Sequence, residues 1–179
     1  MVTPRQPNER RGRPPQDFWT DPHRYNIAIA CALMQLGKSE NGAFGSVSAL
    51  VLGRKIDEQN APARRKRGVG TVPPGRLATY ERAWHLNSTT ANFKGFRTTL
   101  INKFHRIEGD PKAMLWLRAT AHGIAAFLST GYLLGYDMEH LLAHVIVCAD
   151  RATSGTLPMP FLDALDFDMP ELVRKDNAP

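Results

Sequence analysis

Cysteine is scarce in this sequence: Cys31 and Cys148 are the only two in 179 residues. Each lies inside an apolar run of helical spacing rather than in a loop, which excludes a disulfide framework and a four-ligand zinc site. Long hydrophobic runs are missing as well. The most apolar stretch, 113–136, is interrupted by Arg118 and His122, and the first residues lack the apolar centre of a secretion signal. The expectation is a cytoplasmic protein in a reducing setting, with no membrane segment. Motifs for nucleotide or acyl chemistry are absent too: GKSENGAFG and RGVGTVPPG match neither GxxxxGKS/T nor GxGxxG, and no serine stands in GxSxG. No enzyme and no cofactor is expected. No stretch alternates apolar and polar residues as a half-buried strand would, so the sequence predicts an all-α fold.

Acids are the other shortage: 17 Asp and Glu face 23 Lys and Arg, a formal charge of +6 and a pI near 9.6. The imbalance raises the expectation of a polyanionic partner, and its distribution sharpens that expectation. Residues 60–76 carry Arg64, Arg65, Lys66, Arg67 and Arg76 with no acid, whereas 156–179 carry five acids against Arg174 and Lys175.

The clearest element present is the stretch from Ser88 to Ile107. Phe93, Phe96, Leu100, Phe104 and Ile107 recur at steps of three and four, which on a helix confines them to about 80° of arc. That stripe faces the core. The far side carries Lys94, Thr98, Asn102, Lys103, His105 and Arg106, with Arg97 on the flank and no acid before Glu108. Exposed helices ordinarily interleave both signs. This one displays an anion-binding face.

In chain order, residues 1–19 combine four prolines with Arg5, Arg10, Arg11 and Arg13 and read as a flexible basic arm, Phe18 and Trp19 docking where the fold begins. Asp21-Pro22 marks a helix start and Gly37 its left-handed end. A second helix is expected over 42–59, with Phe44, Val47, Leu50 and Val51 facing inward. A long cationic loop over 60–75 follows it. A third helix, 76–86, packs Leu77, Tyr80 and Trp84. Asp110-Pro111 opens a helix that Gly131 is expected to end and that is expected to be the central, most buried one. Asp137 caps a last helix over 138–152. The remainder, 156–179, reads as an extended acidic tail whose apolar residues dock on the fold. The expected organisation is thus an arm over 1–19, a single bundle of five to six helices over 20–155, and a tail over 156–179.

Two further readings compete. His140 and His144, four apart, share a helix face at the spacing of helical metal sites, but Glu139 precedes the pair instead of lying inside it, so the HExxH pattern of a zinc hydrolase is absent. No metal is assigned. The helices flanking Asn87-Ser88 allow a helix-turn-helix DNA-binding regulator as the alternative.

From about Asp21 to Ser154, a compact helical chain with cationic faces resembles the small subunits of CRISPR–Cas effector complexes. The segment FRTTLINKFHRIEGDPKAMLWLRATAHGIAAFLST carries the likeness. The resemblance implies a non-catalytic subunit of a ribonucleoprotein in antiviral defense, present in several copies among other protein subunits and contacting RNA or DNA through its phosphate backbone. The residues expected to make those contacts are Arg64, Arg65, Lys66, Arg67, Arg76, Lys94, Arg97, Lys103 and Arg106.

Overall fold

Asp17 starts a short 3-10 turn, Phe18–Thr20, by accepting the Trp19 backbone N–H at 3.2 Å. The computed structural model describes residues 17–66 and 90–167, with side chains at 17–53 and 93–166. Among these residues there is no strand. Six α-helices lie among the described residues: α1 Arg24–Gln35, α2 Glu40–Lys66, α3 Thr90–Ile107, α4 Pro111–Leu133, α5 Met138–Thr153 and α6 Phe161–Phe167. The all-α bundle expected from the sequence is what forms. No described helix is long and apolar enough to cross a membrane.

The centre is α1, not the Pro111 helix that the sequence favoured. All eight residues from Asn26 to Leu33 are buried, so every side of α1 meets protein. It packs against α2, α3, α4 and α5. Ala28, Ala30 and Ala32 make that possible, because methyl side chains let several helices approach one axis closely. The longer α4 buries a stripe instead, including Ala113, Leu117, Ala121, Ile124 and Leu128, and leaves Leu115 and Leu133 exposed.

Helix ends follow local chemistry with informative exceptions. Gly37 takes φ 93° and lets the Lys38 N–H reach the Leu33 carbonyl at 3.0 Å, closing α1 as expected. Gly131 does not end α4, which continues to Leu133. Its missing side chain serves packing: a Cβ there would lie 2.6 Å from Leu141 Cδ2 of α5. The left-handed residue is Gly135, four positions later, at φ 92°.

Two expected segments differ. The loop assigned to 60–75 is helical as far as Lys66, because α2 runs through Pro62. Ala61, Ala63, Arg64, Arg65 and Lys66 are all strong helix formers and favour helix on both sides of Pro62, against proline's lost hydrogen bond and ring clash. The segment read as an extended tail contains α6, whose Phe161, Ala164 and Leu165 are buried and which packs on α4 and α5. Seven residues are too few to show a 3.6-residue period in the sequence. Docking of its apolar side chains, also expected, is observed. The arm over 1–16, the helix expected at 76–86 and residues 168–179 lie outside the described residues.

Candidate nucleic-acid interface

On α3 the apolar stripe is set inward as its spacing dictates. Leu100 and Ile107 are buried, and Phe104 meets Phe44 of α2 with ring centroids 5.7 Å apart. Leu100→Ala would cost about 2–5 kcal/mol, the usual range for a buried leucine. With the stripe fixed, the solvent side is fixed too. Lys94, Thr98, Asn102 and Arg106, four residues apart, are all exposed. At 1.5 Å per residue the row is roughly 18 Å long.

The remaining cations of α3 are not equivalent to these. Arg97 is half-buried, its guanidinium 5.7 Å from the centroid of the Phe93 ring. Lys103 lies at the border of the apolar stripe rather than on the far side. Its ammonium donates to both carboxylate oxygens of Asp21, at 2.7 and 2.6 Å, with 20 % of the lysine side chain and 9 % of the aspartate exposed. His105 Nε2 stands 3.3 Å from Glu40 at the start of α2. Among the described residues, no carboxylate is within ion-pair distance of Lys94, Arg97 or Arg106. The cationic row is therefore narrower than the sequence indicates, and it rests on Lys94 and Arg106. Arg64, Arg65 and Lys66 form the last turn of α2, while Arg67 and Arg76 fall outside the described residues.

At the C-terminal end of the row a cavity of about 290 Å³ opens between the 3-10 turn, α3 and the start of α4. Phe18, Ile107 and Ala113 supply its apolar wall, and Asp17, Asp21, Asp110, Lys103 and Arg106 its polar groups. Asp110 Oδ1 accepts the N–H groups of Lys112 and Ala113 at 3.0 and 3.2 Å, capping α4. The sequence reading missed this cavity. One signal for it is legible: Lys103 is three residues after Leu100 and four before Ile107, a position that flanks the buried stripe and demands a partner.

The two histidines of α5 have different partners. His140 Nδ1 lies 3.0 Å from Asp137 Oδ2, which also accepts the N–H groups of Glu139 and His140. Burial opposes ionisation of Asp137, yet the hydrogen bonds from the His140 side chain and the two backbone groups outweigh it and hold the carboxyl below its usual range. His144 Nε2 lies 3.6 Å from Cys148 Sγ. Among the described residues no three His, Cys, Asp or Glu side chains gather as a metal site requires. Cys31 is free and buried, and desolvation, helped by the nearby Glu40 charge, pushes its thiol up to about 12.

No family model matches the chain, and no curated protein or solved structure matches it.

Proposed function

We propose that the chain is a non-catalytic nucleic-acid-binding subunit of a ribonucleoprotein, one that lies against the phosphate backbone in the way its resemblance to CRISPR–Cas small subunits implies. The observation that carries this reading is the exposed row Lys94, Thr98, Asn102 and Arg106, which offers two cations without an ion-pair partner among the described residues and two neutral hydrogen-bonding side chains, with no acid between them. Thr98 and Asn102 can donate to phosphate oxygens, while Lys94 and Arg106 neutralise their charge and release counterions. Arg97 adds a third cation at the edge of the row. Arg64, Arg65, Lys66, Arg67 and Arg76 supply a second positive region. Lys103 is left out of the phosphate contacts, since its charge is balanced by Asp21. Such contacts fix position along a strand without reading its sequence.

Fluorescence anisotropy with labelled single-stranded RNA and DNA tests the proposal. With about eight phosphates neutralised, one per cation named, the logarithmic salt slope is about −5.6, and affinity falls roughly two-thousandfold between about 50 and about 200 mM salt. The double variant Lys94→Ala, Arg106→Ala should flatten the slope by about 1.4, at about 0.7 per lost contact. Affinity indifferent to salt, or confined to one duplex sequence over scrambled competitor, overturns the reading, the second result in favour of a helix-turn-helix regulator.

A further inference from the structure

We propose that the cavity at the end of the α3 row takes one unpaired guanine of the bound strand. The proposal rests on the phosphate-binding reading of α3 and adds a base preference to it. Arg106 belongs to both features: it ends the exposed row and it lines the cavity. A strand tracked along α3 by its phosphates is therefore delivered to the cavity mouth.

The chemistry inside is opposite to that of the row. Carboxylates repel phosphates but accept hydrogen bonds from base edges. Asp110 uses Oδ1 for its cap, and Asp17 uses Oδ1 for the Trp19 N–H, which leaves Oδ2 of each without a hydrogen-bond donor among the described residues. Lys103 carries three N–H donors and gives two to Asp21, so one remains for an acceptor. Two acceptors and one donor match the guanine Watson–Crick edge, which presents N1–H and N2–H beside the O6 oxygen. Uracil and thymine offer one N–H between two carbonyls, and adenine and cytosine offer one amino group beside a ring-nitrogen acceptor. Phe18 and Ile107 supply apolar contact for the ring. A volume of about 290 Å³ lies at the small end of ligand pockets, suited to one base.

The test compares labelled oligo(U) with the same oligomer carrying one central guanosine or one central inosine, which keeps N1–H and O6 but lacks the N2 amino group. Expected is guanosine about tenfold tighter than uridine, with inosine between them. In the double variant Asp17→Asn, Asp110→Asn, whose amides still cap, the guanosine advantage should fall below about twofold. Equal binding of guanosine and uridine oligomers, or an advantage that survives in the double variant, overturns the pocket and leaves the phosphate reading standing. Failure of every oligomer to bind at low salt is instead the failure of that reading. Free guanosine, followed by tryptophan fluorescence, then decides the pocket alone: saturable quenching abolished in the double variant supports it, and none in the parent overturns it.

Discussion

The dipeptide Asp-Pro occurs at two helix starts and does different work at each. At Asp110-Pro111, proline is the first residue of α4 and the exposed carboxylate caps two N–H groups. At Asp21-Pro22, a turn intervenes and α1 begins only at Arg24. Asp21 is buried, accepts the His23 N–H at 2.8 Å, and grips a lysine 82 residues away. The comparison teaches that sequence places a helix start to within a few residues, while the carboxylate's main partner is decided by what the fold brings to it. At Asp110 the carboxylate keeps to its own helix end: it lines the cavity, but among the described residues no cation pairs with it. At Asp21 the last turns of α3 arrive with Lys103.

The largest expected effect follows from that difference. Asp21→Ala or Lys103→Ala leaves one buried ion without its partner and should lower unfolding free energy in urea by about 3 kcal/mol. The double variant should recover at least 1 kcal/mol of the summed loss, at the low end expected for residues in direct contact. Strict additivity would mean that the pair does not hold α1 to α3.

Next in size is a contrast within one substitution type. Asp110→Ala should cost about 1 kcal/mol and Asp110→Asn almost nothing, because asparagine caps as well as aspartate. Asp21→Asn keeps its hydrogen bond to His23 but strands Lys103, so it should cost about 2 kcal/mol. Equal losses for the two asparagine variants would erase the distinction between cap and ion pair.

Asp137 gives the smallest effect and a pH signature. Its folded pKa lies below the ordinary 3.8, so the unfolded chain binds its proton more readily than the folded one. The stabilisation is fully present above the unfolded value and is lost as pH falls through the folded value. Asp137→Asn should therefore flatten the acid limb of the stability profile below about pH 4, while leaving the limb above about pH 6 unaltered in shape. An unchanged acid limb would mean that the Asp137 carboxyl is not held below its ordinary range in the folded chain.

What was legible in the sequence was what neighbours in sequence determine. The α3 stripe, the Asp110 and Asp137 caps and the left-handed Gly37 each depend on residues within one or two turns, and each is found. The centrality of α1 was not legible, because Ala28, Ala30 and Ala32 look neutral until helices close on them from several sides. The continuation of α2 through Pro62 was not legible either, because the local cost of a proline is visible in sequence while the pull of flanking helix formers is diffuse. For the candidate site, exposure of Lys94 and Arg106 followed from the stripe opposite. The partners of Lys103 and His105 did not, since Asp21 and Glu40 come from other parts of the chain. Gly131 misled for the same reason: whether a helical glycine ends a helix or admits a neighbouring leucine depends on the neighbour.

The burial of α1 from Asn26 to Leu33 has a thermodynamic consequence. An amide enclosed by four other helices has no local route to solvent, so deuterium enters that segment only through opening of the whole molecule. The exchange rate along α1 is thus a gauge of global stability. Slower exchange confined to α3, with α1 unaltered, would mark a ligand's footprint rather than a general tightening of the fold.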